Sequence, residues 1–245
     1  MKRTGRRLLI TTSWDDGHPL DLRVADMLAK HGLPATFYLP LKNSRQTLSA
    51  TQIRDLSSSF EVGAHTIHHV VLTAVSNDIA SAEIAGSKER LQDITGTPCV
   101  VFCFPNGRYN NVHMGMLRNA GFMVARTVEL MSLDEPRRNQ GIAVMPTTIQ
   151  ACPNTTLAYL RNAVKRLRAE AVRNICRFHR GEDWASMAIA LLNRARDTGG
   201  VFHLWGHSWE IEEKGQWQAL DRVFAALGDM REVVTFCANS ELCSR

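Results

Sequence analysis

His65 and His69 stand four residues apart, and two imidazoles with one carboxylate make a three-ligand metal site that keeps vertices open for reactants. If the chain turns helically after the preceding apolar run, both rings fall on one face. His68 then points roughly a third of a turn away, as a bystander or a substrate contact. Asp15 and Asp16 close the first apolar run. Either could cap the next helix, but two carboxylates are one more than a cap needs. Successive side chains on extended backbone point apart, so one can bind a cation while the other stays free as a base. His207 ends a late apolar run and could deliver a proton near neutral pH, whereas His203, inside that run, reads as a core histidine.

Those residues need elements to position them. Apolar runs at 8–14, 35–39, 60–64, 100–104, 122–128, 142–149, 201–205 and 233–236 read as strands. Between them, Leu20, Val24, Met27 and Leu28 predict one helix, and 51–56 a short one. A helix capped by Ser76, Asn77 and Asp78 carries Ile79, Ile84, Leu91 and Ile94 and stops at Gly96; 111–119 is another, and Trp217 to Leu227 supplies a closing one. Strand alternating with helix implies parallel strands with crossover helices, an α/β sheet or barrel. The carboxyl ends of such strands share one rim, and four of them carry polar clusters: Asp15-Asp16, His65 to His69, Pro105-Asn106-Gly107 and His207.

With 245 residues, 44% hydrophobic and 22% charged, the chain has the composition of an ordinary soluble globular protein, and one domain over 1–245 is expected. The net charge of +5 suits an anionic substrate but does not argue for nucleic acid. The basic stretch at 154–180 reads as the solvated face of a helix packed through Leu160, Val164, Leu167, Ala171 and Ile175. Leu8-Leu9-Ile10, the longest apolar run near the start, falls far short of the ~18 residues of a membrane span, so a cytoplasmic protein with thiol cysteines is expected. Cys99 and Cys103 would lie roughly 13 Å apart along a strand, too far for one metal. No G-x-S-x-G elbow, phosphate loop or dinucleotide fingerprint is present.

Taken in order, T-T-S-W-D-D-G-H at 11–18, H-T-I-H-H at 65–69, F-P-N-G at 104–107 and H-L-W-G-H at 203–207 resemble the polysaccharide deacetylase, or NodB-homology, family of carbohydrate esterases (family 4-like). The resemblance implies a distorted (β/α)7-type barrel, the NodB-like glycoside hydrolase/deacetylase fold. It also implies one divalent metal ion, Zn2+ first, with Co2+, Ni2+ and Fe2+ as alternatives. On that resemblance Asp16, His65 and His69 hold the metal, Asp15 is the catalytic base, His207 the catalytic acid, and the N–H of Asn106 helps bind the oxyanion. Pro105, Tyr109 and Trp205 are candidate substrate contacts, Trp205 either as an apolar wall against a sugar face or as plain packing.

Two positions depart from the family pattern. Where many members carry an arginine, this chain has Cys103, and Arg126 at the end of the next strand is a candidate replacement as partner of Asp15. The family's Asp-and-Trp motif is not clear, which leaves open what orients His207; Glu210 reads as a helix-cap or surface charge. The expected activity is metal-dependent removal of an N-acetyl or other N-acyl group from an amino sugar or oligosaccharide. The alternatives are hydrolysis of a non-sugar C–N bond (ureide, imide or formamide) and a non-catalytic carbohydrate-binding module. The partner is then a carbohydrate or small N-acyl compound, with no nucleic acid and no membrane span.

Overall fold

The computed structural model of the protein describes residues 7–153 and 183–243. The basic stretch at 154–180 lies outside the described residues.

Ten strands form one sheet: β1 (Leu8–Asp15), β2 (Thr36–Leu39), β3 (Glu61–Ala64), β4 (Val101–Cys103), β5 (Val124–Arg126), β6 (Arg137–Asn139), β7 (Ile142–Met145), β8 (Ile149–Gln150), β9 (Gly200–Gly206) and β10 (Thr235–Phe236). Their order is β6-β7-β5-β4-β3-β2-β1-β9-β8, with β10 beside β1. Every pairing is parallel except β6 with β7. The result is the mixed α/β half-barrel that the alternation of runs predicts. Among the described residues the helices are α1 (Asp21–His31), α2 (Ala50–Ser57), α3 (Asn77–Thr95), α4 (Asn111–Asn119), α5 (Trp184–Thr198), α6 (Ser208–Glu213) and α7 (Trp217–Gly228).

Their ends follow local chemistry. A capping box of Ser49 and Gln52 starts α2, the Ser76 hydroxyl starts α3, and left-handed glycines Gly32 and Gly96 end α1 and α3. Ile79, expected among the apolar residues of α3, is half exposed, whereas Ala80, Ile84 and Leu91 are buried. Among the described residues no helix is long and apolar enough to cross a membrane.

Strand periodicity sorts side chains between two faces. Leu8, Ile10, Trp14, Phe202 and Leu204 pack into the large cluster against the helices, whereas Leu9 and Val201 join a smaller one with Tyr38, Val101, Val124 and Met145 on the opposite face. The single strand expected at 142–149 is two. Pro146, which has no N–H to donate to a ladder, breaks it, and Thr147 and Thr148 turn aside to bond Glu129 and His203. The strand expected at 122–128 is likewise only three residues long, since the chain beyond Arg126 bonds to Met145 and Thr147 in irregular turns. The antiparallel β6 was not legible in its polar sequence, R-R-N.

Gly200 opens β9 at φ +113°, and a Cβ there would lie 2.2 Å from the Leu133 carbonyl oxygen. Gly200→Ala is expected to lower stability by roughly 1–3 kcal/mol, read as the midpoint of denaturant unfolding.

Candidate metal and acid–base centre

At the carboxyl ends of the strands lies a cavity of about 550 Å³, lined among others by Asp15, Asp16, His65, His69, Asn106, Trp205 and His207. Sequence positions almost two hundred residues apart meet there because β1, β3, β4 and β9 run in parallel and end on the same rim.

Asp15 is the last residue of β1 and still extended; Asp16 departs into the left-handed region at φ 80°, which turns its carboxylate toward the imidazoles. The histidines are brought together by a different route from the helical turn expected. The 65–69 segment is an irregular bend with Thr66 at φ 63° and His69 at φ 53°, and the two rings end 4.8 Å apart. A left-handed β-branched residue is costly and persists only where its surroundings impose it. Glu83 of α3 imposes it: one oxygen accepts the N–H groups of Ile67 and His68 at 2.8 and 2.9 Å, and the other binds His68 Nδ1 at 2.6 Å. His68 is thus a clamp on the bend, not a bystander.

His65 Nδ1 lies 2.8 Å from the Cys103 carbonyl oxygen, which can only accept. The ring therefore carries its hydrogen there and presents a lone pair at Nε2. Burial pushes the His65 pKa down to about 4, so the ring is neutral at physiological pH and fit to ligate. Asp16 Oδ1 is buried and accepts no well-formed hydrogen bond, although His69 Nε2 lies 3.1 Å and His65 Nε2 3.7 Å away. Burial alone would raise the Asp16 pKa, but His69 and the charges of the neighbouring imidazoles hold it well below the usual carboxylate range. Ligand atoms of Asp16, His65 and His69 all lie within 4.8 Å of one another. An orphaned carboxylate oxygen faced by imidazole nitrogens is a donor set that fits a divalent cation. Asp16 Oδ2 is separately fixed by Trp209 Nε1 at 2.9 Å. Asp15, His65 and Cys103 also approach one another, but that set is poorer. Burial pushes the Cys103 thiol well up, which disfavours the thiolate a metal needs, and Asp15 is already engaged.

Asp15 accepts a hydrogen bond from Arg126 Nη2, both groups being buried. Cys103 and Arg126 are register partners across β4 and β5, so the guanidinium stands one strand to the side of Cys103. Arg126 also lies over the rings of Trp205 and Tyr38, at 4.7 and 5.3 Å.

Across the cavity His207 Nε2 stands 3.9 Å from Asp16 Oδ2, and its Nδ1 donates to Glu210 Oε2 at 2.7 Å. Burial would lower the His207 pKa, but the hydrogen bond to Glu210 and the charges of Asp15 and Asp16 outweigh it and raise the ring above its ordinary value. Burial would raise Glu210, yet the same hydrogen bond brings it down to about 2. Glu210 is the orienting group that sequence reasoning did not find; its only trace was an acid three residues after His207 at a helix start. His203 is a core residue, held by Ser13 Oγ at 2.8 Å and the Pro146 carbonyl at 3.2 Å.

Asn106 lines the cavity at φ 55° in a single 3₁₀ turn, Pro105–Gly107, in which Pro105 has no N–H and the Gly107 N–H donates to the Phe104 carbonyl. Trp205 lines the cavity wall; Pro105 is buried and is not part of that lining. Tyr109, expected as a substrate contact, stacks on Phe104 at 4.2 Å and faces a separate shallow groove with Thr73 and Asn139. Trp209 and Arg45, which lies over its ring at 3.8 Å, also line the cavity.

Residues 2–125, half of the chain, match the model of the polysaccharide deacetylase family. No curated protein matches at a significant level. A Mycobacterium smegmatis structure described as a candidate polysaccharide deacetylase is 18% identical, covering 100% of this chain and 91% of its own, with a TM-score of 0.72. The chitin deacetylase of Colletotrichum lindemuthianum is 14% identical over 99% and 90%, TM-score 0.64. A family 4 acetyl xylan esterase of Clostridium thermocellum, solved with a cobalt ion, is 21% identical over 96% and 90%, TM-score 0.58. At these identities the likeness is one of fold.

In the metal-free protein, NMR titration is expected to place His207 above its ordinary value of about 6.5, and Glu210→Gln to bring it down. Because the folded value is raised for His207 and lowered for Glu210, the stability contributed by this pair is fully present only between about pH 4.5 and 6.5, and is lost as the pH rises through the folded His207 pKa or falls through the folded Glu210 pKa.

Proposed function

The chain belongs to the polysaccharide deacetylase family, and on that premise we propose that it is a metal-dependent hydrolase that removes an N-acyl group, acetyl first, from an amino sugar or its oligosaccharide. The observation that carries this reading is the meeting, in one cavity, of a cation-ready Asp16/His65/His69 set, a carboxylate held by a buried guanidinium, and an imidazole held by a carboxylate.

An amide carbonyl is a weak electrophile and its amine a poor leaving group. A divalent cation held by Asp16, His65 and His69, zinc first among the ions this donor set suits, would supply Lewis acidity to the acyl oxygen and make water acidic enough to attack at neutral pH. Asp15 takes the proton of the attacking water, with Arg126 fixing the carboxylate and offsetting its charge in a buried place. The Asn106 N–H donates to the oxygen on which negative charge develops. His207 then hands its Nε2 proton to the departing nitrogen, while Glu210 holds the opposite ring nitrogen and supports the imidazolium. The faces of Trp205 and Trp209 offer apolar walls of the kind that sugar rings pack against.

The test is acetate or formate release from N-acetylglucosamine oligomers, set beside cyclic and linear ureides, with purified protein stripped by chelator and reloaded with Zn2+, Co2+ or Ni2+. Activity on the sugars alone that vanishes on stripping and returns on reloading is the expected outcome. Turnover of ureides alone, or no retained ion, overturns the reading. Asp15→Asn and His207→Ala are each expected to lower kcat by roughly 10²–10⁴ without releasing the ion.

Arg126→Ala leaves Asp15 buried without its partner, an expected cost of about 3–5 kcal/mol in stability as well as a fall in kcat. Because positions 103 and 126 are lateral neighbours, Cys103→Arg in the same chain is expected to recover part of both losses, measured as unfolding midpoint and kcat.

A further inference from the structure

Beside Glu210, on the side away from the cavity, a second reactive cluster is built from residues the hydrolytic reaction does not use. Cys152, buried just past β8, places Sγ 2.7 Å from Nζ of Lys214, the residue that follows α6. That is the length of an ordinary N–H···O bond although sulfur is the larger atom. Glu210 Oε1 lies 3.7 Å from the sulfur and 3.4 Å from the nitrogen. Its other oxygen is taken by His207 and by Gln150 Nε2 at 2.8 Å. A thiol, an amine and a carboxylate oxygen that accepts hydrogen bonds from both therefore meet at one point. Gln150 and Glu210 line the cavity, so a small solute reaches the edge of the cluster from there.

We propose that Cys152 and Lys214 are an oxidant-sensitive modification site, closing into a covalent sulfenamide when a peroxide is supplied. In the first step the sulfur attacks hydrogen peroxide, an S–O bond forms and the O–O bond breaks, and the thiol proton goes to the departing hydroxide. Cys–SH and H2O2 thereby become Cys–SOH and water, the sulfur losing two electrons. In the second, the Lys214 amine, its ammonium proton released to solvent, attacks the oxidised sulfur. The S–N bond forms, the S–O bond breaks, and the departing hydroxide leaves as a second water with a proton of the amine. One peroxide is reduced to two waters overall. The nitrogen is already inside the ~3–3.5 Å of a near-attack geometry, so capture of the sulfenic acid needs no rearrangement of the fold.

The bond would tie the chain beyond β8 to the end of α6 and take the ammonium away from Glu210, the carboxylate that holds His207. A dithiol attacking the sulfur reopens it, so the support of the proton donor would follow the redox state of Cys152.

The experiment treats the full-length folded protein with hydrogen peroxide, blocks remaining thiols, and maps tryptic peptides by mass spectrometry. The expected product is the Cys152 peptide joined to the Lys214 peptide, lighter than their sum by two hydrogens and separated again by dithiol. In Lys214→Gln the sulfenic acid has no captor and is expected to be trapped at Cys152 by dimedone; Cys152→Ser yields no joined peptide. Wild-type protein in which Cys152 stays unmodified, is trapped by dimedone without forming the pair, or runs on to sulfinic and sulfonic acid overturns the proposal. That result leaves the deacetylase reading untouched, because it is read by mass and not by activity.

Discussion

Two carboxylates stand side by side at the end of β1, almost wholly out of water, and each needs a different answer to the cost of burying its charge. Asp15 is answered by a fixed cation, the Arg126 guanidinium, itself buried and braced between the rings of Trp205 and Tyr38. Asp16 has no fixed cation: the Trp209 indole holds one oxygen, and the other faces only neutral or titratable imidazoles without a well-formed hydrogen bond. The division of labour in the cavity follows from this difference. In the proposed reaction the carboxylate with a permanent partner is the one that takes the proton, and the one with an orphaned oxygen is the one that would hold the cation.

The backbone concentrates its strain at the same place. Asp16, Thr66, His69 and Asn106 are all left-handed, and all stand at strand ends on the rim. Parallel strands deliver side chains only in the directions of the pleat, so a donor set that must converge on one point has to be finished by the turns that follow. The ladder beneath is regular and the turns above it are tied down individually: Glu83 holds the bend at 65–69, Cys103 O holds the ring of His65, and Trp209 holds Asp16.

Cys103 and Arg126 are register partners, so the sheet offers two adjacent positions from which a cation could reach Asp15. Neighbouring strands lie about 5 Å apart, and residues in register project to the same face. An arginine one strand over therefore reaches the same carboxylate by a slightly different path. The thiol left behind at Cys103 stays buried against Asp15 at 3.8 Å and adds no charge of its own.

Most of the architecture was legible in the chain because it rests on short-range regularities. Apolar runs of strand length alternate with helical periodicity, caps and glycine stops mark the ends, and polar clusters fall just past the strands. Wherever a backbone group was diverted by a distant partner, that reading failed. Pro146 broke a strand, Thr66 and His69 replaced a helical turn by a left-handed bend, and β6 formed from polar residues against β7. For the centre, residue types and order singled out Asp15, Asp16, His65, His69, His207 and even Arg126. What only the tertiary structure decided was which group answers which: Glu210 to His207, Trp209 to Asp16, Glu83 to His68, and Tyr109 to Phe104 instead of to the cavity. Sequence determines the chemistry each side chain can perform and the faces of its own element. Partnership is set by distances between elements, and those exist only once the sheet has curved and its strand ends have met.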